Sequence, residues 1–138
     1  AIRRGRQEDP LLRQALARTW IEERVLGWLG DRIRDAVLDG ARPDVDGSVV
    51  KVLWAESRAR KSDVALDLLG PDAMLDADDA EAHGYWQNHM LDRYMGTIGG
   101  GTVEVHRNGI GERVLGLPRE PRPDREVAFR ELKGGVSD

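Results

Sequence analysis

The chain has no cysteine, which excludes disulfides, thiolate catalysis and cysteine-ligated zinc together. Aromatic residues make up only 5% of its 138 positions, with a single Phe, so any core must be assembled mainly from Leu, Val, Ile and Ala. No apolar run is long enough to cross a bilayer as a helix and no signal peptide opens the sequence. The expectation is therefore a cytoplasmic protein without a membrane span. The alternating pattern of a half-buried strand is also missing, which leaves an all-α class. Neither sign of charge dominates, the formal net charge being −4. The basic residues, nearly all Arg, are interleaved with Asp and Glu as on solvated helix faces, and no nucleic-acid partner is expected. His83, His89 and His106 follow no metal-ligand spacing, so no metal is expected either.

What the sequence does contain is helix. Asp9 is a good N-cap, Pro10 suits the first helical position, and the pattern runs unbroken to Leu38 before Gly40 and Pro43. Leu12, Leu16, Thr19, Glu23, Leu26, Gly30, Ile33 and Val37 form one seam. Ala17, Ile21, Val25 and Trp28 form a second stripe, which predicts a helix packed on two sides, with Glu23 paired to an Arg of a neighbouring helix. Asp44 to Gly47 read as a turn and Ser48 as the cap of a second helix reaching Leu69, ended by Gly70 and Pro71. Its stripe is Val52, Ala55, Ala59, Ser62, Leu66 and Leu69, small in the middle, where another backbone could come close. After an acidic loop at Asp72 to Ala82, a third helix is predicted over 84–95 and a fourth over 102–115, with Thr102 as N-cap. Gly109 and Gly111 within it either permit close packing or weaken the helix by about 1 kcal/mol each. The expected organisation is a bundle over 1–117 and a Pro- and charge-rich tail over 118–138, with a short helix possible at 125–132.

Gly99, Gly100 and Gly101 directly before a capped helix are the most unusual feature. They offer bare backbone and the N–H groups of a helix start, which suit a polar or anionic group. No strand precedes them and no Lys follows, so this is neither a Walker loop nor a dinucleotide fingerprint. A plain turn and a cofactor contact fit these residues equally well.

The stretch Thr97-Ile98-Gly99-Gly100-Gly101-Thr102-Val103-Glu104-Val105-His106-Arg107-Asn108, closing with Leu115-Gly116-Leu117-Pro118-Arg119, resembles the C-terminal signature of acyl-CoA dehydrogenases. Asp9-Pro10-Leu11-Leu12-Arg13-Gln14 and Ala65-Leu66-Asp67-Leu68-Leu69-Gly70 are similar to that family too. The likeness covers about residues 3–122 and is greatest to the actinobacterial branch, with its sterol and lipid catabolism enzymes.

The resemblance implies an up-down helical bundle, the C-terminal domain of that fold lacking its first helix. It also implies FAD in the parent enzyme, an acyl-CoA substrate, and electron transfer to an electron-transferring flavoprotein. A glutamate removes the α-proton of the thioester while the β-hydride passes to flavin. The family Thr near the flavin falls on Thr102, and Glu104 falls on a polar position beside it. Gly100 and Gly101 join them as cofactor-binding candidates. Gly100 also stands where many members carry the catalytic glutamate, so the base is unknown here. Gly70 falls near a family glycine pair that touches FAD, although Pro71 replaces the second glycine. Arg3, Arg4 and Arg6 lie near a region whose Arg reaches the FAD pyrophosphate.

For the chain alone the expectation is no bound FAD, no turnover, and a homo-oligomer that buries the seam of the first helix. Two further readings compete with the enzymatic one: a non-catalytic subunit or assembly domain of a heteromeric dehydrogenase, and an unrelated cofactor-free bundle. A glutamate on the family's preceding helix would favour the enzymatic reading over the first. A β-domain upstream would remove the second.

Overall fold

A computed structural model describes residues 1–40, 44–119 and 121. Among them there is no strand, and five α-helices carry the fold. Helix α1 spans Pro10–Leu38, and the Asp9 carboxylate accepts from the N–H groups of Leu11 and Leu12 at 3.0 and 3.2 Å. Two orphan donors of the first turn are thereby satisfied. Helix α2 spans Asp44–Leu69, so it begins before Ser48, and the expected turn at 44–47 belongs to the helix. Gly47 costs about 1 kcal/mol in such a position, which the packing of so long a helix outweighs.

The predicted third helix is two: α3 at Tyr85–Leu91 and α4 at Arg93–Ile98, separated at Asp92. The chain stays helical through Gly96, where a Cβ would stand 3.1 Å from the Trp54 ring, tighter than side chains usually come, so glycine eases the close approach of α4 to α2. Helix α5 spans Val103–Arg113, shorter at both ends than 102–115. The acidic loop holds short 3-10 turns at Gly70–Met74, Ala77–Asp79 and Glu81–Gly84. Ala82 and His83 take left-handed angles there, with φ of 55° and 52°. The predicted helix at 125–132 and most of the tail lie outside the described residues.

Helix α2 is the hub, packing against α1, α3, α4 and α5, whereas α2 is the principal partner of α1. Ala55 and Ser62 on α2 have no exposure at all, consistent with small residues at a close crossing. The α1 residues turned inward are Leu12, Ala15, Leu16, Thr19, Glu22, Val25, Leu26, Leu29, Ile33 and Ala36. The expected seam and this one share Leu12, Leu16, Thr19, Leu26 and Ile33 but part at Glu23, Gly30 and Val37. Glu22 is buried, whereas Glu23, expected in the seam, is exposed.

The second stripe divides: Val25 turns inward with the seam, while Ala17, Ile21 and Trp28 are exposed. Trp20 and Trp28 are each 62% exposed and Ile21 54%. The seam expected to face another copy is thus covered by α2, and the apolar face left open on α1 is the opposite one. The buried apolar set is short, being Leu12, Ala55, Ala65, Leu69, Ala80 and Val103 among the described residues. A core that thin leaves little margin for a chain of this size standing alone.

Candidate functional site

The glycine connector joins α4 to α5 and is fixed from the side of α2. Gly100 and Gly101 have φ of 72° and 105°, a region in which a side chain is strained. Gly99 is excluded from substitution for another reason: its Cβ would meet the Met95 carbonyl oxygen at 2.9 Å. Lys51 of α2 donates to the carbonyls of Gly96 and Gly99, the latter at 2.7 Å. His106 of α5 places Nε2 3.1 Å from the Gly100 carbonyl and Nδ1 3.1 Å from the Ser48 hydroxyl. A carbonyl only accepts, so Nε2 carries the proton, and in the neutral ring Nδ1 accepts from Ser48. Ser48 therefore ties α2 to α5 and does not cap a helix. Arg107 of α5 forms an ion pair with Glu56 of α2, which adds a second tie.

Thr102 is extended (φ −68°, ψ 157°) and its hydroxyl accepts from the Val105 N–H at 3.3 Å, the N-cap role expected of it. Glu104 is exposed, and its carboxyl is held below the usual range. Its own backbone N–H contributes most, then the Thr102 side chain; burial opposes them, and Arg107 adds a weaker attraction. A carboxylate held in its ionised form by a helix start is a weak proton acceptor. The outer side of the loop is bare: a Cβ at Gly100 would meet nothing within 4 Å. Met95, Ile98 and Val105, on the segments entering and leaving the loop, are exposed.

The other sequence candidates sit elsewhere. Gly70 (φ 59°) ends α2 with open space around it. Arg4 binds Asp72 at 2.8 Å, Glu81 at 2.9 Å and the Leu69 carbonyl, and Arg6 binds Asp9 and Asp67. Both arginines pin the N-terminal segment to the end of α2. Arg3 is exposed.

Glu23 pairs with Lys61 of α2, not with an Arg. Its neighbour Glu22 takes that part, bonding Arg60 of α2 at 2.9 Å and Arg18 at 3.0 Å. Burial works to raise the Glu22 carboxyl, but the hydrogen bonds from Arg60 and Arg18 prevail and hold it below its usual range. His89 is buried with its Nδ1 2.7 Å from the Ser62 hydroxyl. Burial, helped by Arg58 and Lys61, lowers its pKa and favours the neutral ring. Among the described residues no group of three His, Asp or Glu is placed to hold a metal ion. No helix among them is long and apolar enough to cross a membrane.

Residues 3–115 match the family described as "Acyl-CoA dehydrogenase, C-terminal domain". The chain belongs to that family. Among curated proteins it is similar to the acyl-CoA dehydrogenase IpdE1 of Mycobacterium tuberculosis, at 35% identity over 124 residues. That alignment covers 88% of this chain and 31% of the relative. The protein of the same name from Mycolicibacterium smegmatis is 37% identical over 120 residues, covering 87% and 29%. Among solved structures the ChsE4-ChsE5 complex from Mycobacterium tuberculosis superposes with a TM-score of 0.72 at 29% identity. The match covers 81% of this chain and 29% of that one. The chain thus spans about a third of the length of the relatives it matches, and what it aligns with is the helical C-terminal domain of an acyl-CoA dehydrogenase.

The partnerships of Lys51, Ser48, His106 and Glu22 have no counterpart in the sequence reading. A small-residue stripe on α2 announces close packing, but no spacing rule joins residues 48 and 51 to residues 99–106.

Proposed function

We propose that this chain forms one wall of the flavin and acyl site in an FAD-dependent acyl-CoA dehydrogenase, the enzyme that α,β-dehydrogenates an acyl-CoA thioester. The observation that carries the reading is the bare loop Gly99–Gly101 leading into the Thr102-capped start of α5. The residues fit a planar, partly anionic group. Three glycines remove side chains from the approach, Gly100 borders open space, and exposed Met95, Ile98 and Val105 offer apolar surface beside it. Gly100, Gly101, Thr102 and Glu104 would line the cofactor, Thr102 through its hydroxyl and the start of α5 through its positive end.

FAD, when bound, supplies the acceptor for the β-hydride while a base removes the α-proton. In this assignment the chain's own residues hold and shape the site, and none of them is placed as that base. The parent protein acts on an acyl-CoA, with an electron-transferring flavoprotein as electron acceptor. Residues 1–117 form the bundle and 118–138 the tail. The family's sterol and lipid branch suggests a bulky acyl group, for which a glycine-lined wall leaves room.

One observation favours a second reading, that of a non-catalytic subunit in a mixed assembly. Gly100 has no side chain, and the Glu104 carboxylate is folded back on its own helix start. The solved neighbour is itself a complex of two differently named chains.

The two readings separate by experiment. The protein produced from its whole gene should be yellow, and anaerobic addition of acyl-CoA thioesters should bleach the flavin bands. If bleaching requires a second, co-purifying chain, the subunit reading holds. A preparation that stays colourless and unaffected by any acyl-CoA even with the co-purifying chain present contradicts both.

A further inference from the structure

The proposed cofactor wall is backbone, and a backbone surface works only if something fixes which way its peptides face. Glycines do not do this unaided, since each populates both signs of φ freely. The donors that do it come from α2 and α5. Lys51 takes the carbonyls of Gly96 and Gly99, and His106 takes that of Gly100 while resting on Ser48. Lys51 is itself held, its ammonium standing 5.2 Å from the centre of the Trp54 ring, and that ring is the surface against which Gly96 packs.

None of these peptides is cis. In a trans peptide the N–H of the next residue points opposite to the carbonyl. Drawing the Gly99 carbonyl toward α2 therefore turns the Gly100 N–H away from α2, and drawing the Gly100 carbonyl onto the imidazole turns the Gly101 N–H away from that ring. One ammonium and one imidazole thus set the direction of two successive peptide dipoles in the loop.

We propose that Lys51 and His106, with Ser48 behind the imidazole, are positioning residues that lock the glycine loop in a single orientation before any cofactor arrives. The inference rests on the reading of this loop as the cofactor wall, but the lock is a property of the chain and is measured without flavin.

The test is NMR on the isotopically labelled 138-residue chain. In the native sequence Gly99 to Thr102 should be as ordered as the helices, with backbone order parameters near 0.85. Lys51→Met should drop Gly99 and Gly100 below about 0.6 and shift the carbonyl carbons of Gly96 and Gly99 upfield, with α1 and the rest of α2 unmoved. Lys51→Arg, which keeps a cationic donor, should restore much of the order. His106→Ala should loosen Gly100 and Gly101 alone, and His106→Gln, whose amide can reach the same carbonyl, should rescue them.

Unchanged carbonyl shifts in Lys51→Met, or a loosening spread evenly over the chain, would overturn the lock. Should Lys51→Met not fold, the native chain decides. A coupling across the hydrogen bond from the Lys51 ammonium to the Gly99 carbonyl carbon supports the lock, and a freely rotating, fast-exchanging ammonium refutes it. If the lock holds yet the whole-gene protein carries no flavin, the functional reading fails and the lock stands. If the protein is a flavin dehydrogenase and the loop is loose, the reverse is true.

Discussion

At the scale of single residues, two side chains have their parts decided by a neighbour and not by their own type. Thr102 serves as a cap because its extended backbone aims the hydroxyl at the Val105 N–H. Thr102→Val keeps the shape and removes the acceptor, and should lower stability by about 1 kcal/mol, read from chemical denaturation. Glu22 is buried, and its charge is tolerable only because Arg60 and Arg18 hold it. Glu22→Gln should lower stability by about 1–2 kcal/mol, less than for a fully enclosed pair because Arg18 is mostly exposed.

The same carboxyl sets a pH dependence. Its folded pKa lies below the unfolded one, so its contribution is complete above roughly pH 4.3 and fades as pH falls through the folded value. Glu22→Gln should accordingly show a shallower loss of stability on acidification in that range. Parallel acid limbs for the native and variant proteins would contradict it. Glu22 is hard to see in the sequence. Polar by type, it is discounted in an apolar seam, and its neighbour Glu23 fits the spacing equally well until the two arginines are placed.

At the scale of elements, the long helices are legible because their signals are local. Asp9, Pro10 and an unbroken period state α1 outright, and the two predicted ends of α1 are the observed ones. The misread boundaries are those where tertiary packing overrides local preference. Gly47 and Gly96 look like breaks, yet both are helical, the second because it lies against Trp54. The candidate site is half legible. The loop and its cap stand in consecutive residues, whereas Lys51 and Ser48 come from a helix about fifty residues earlier.

For the helical glycines, the structure decides between close packing and weakening. A methyl added at Gly109 would meet nothing within 4 Å, and its φ is not left-handed, so Gly109→Ala should stabilise α5 by about 0.5–1 kcal/mol. Gly101→Ala should do the opposite, by about 1–3 kcal/mol, since its φ is 105° and the methyl would meet His106 at 3.0 Å. Thermal unfolding of the two variants side by side checks both signs.

At the scale of the whole molecule, the dominant feature is the open side of α1. Arg24 stands over both Trp20 and Trp28, at 5.8 and 5.9 Å, forming an exposed ridge with Ile21 beside it. A surface of that chemistry, next to a core of few fully buried residues, is expected to be covered in a homo-oligomer. Light scattering should find the chain larger than a monomer, and Trp20→Glu with Trp28→Glu should return it to a monomer of unchanged helix content. A native monomer would contradict the expectation.

The functional reading turns on what lies on the far side of the glycine loop. A structure of the flavin-loaded protein made from its whole gene would look at that face itself. The isoalloxazine should then lie within contact of Thr102 and the bare faces of Gly100 and Gly101. A flavin seated away from the start of α5, with Thr102 touching only its own helix, would contradict the reading.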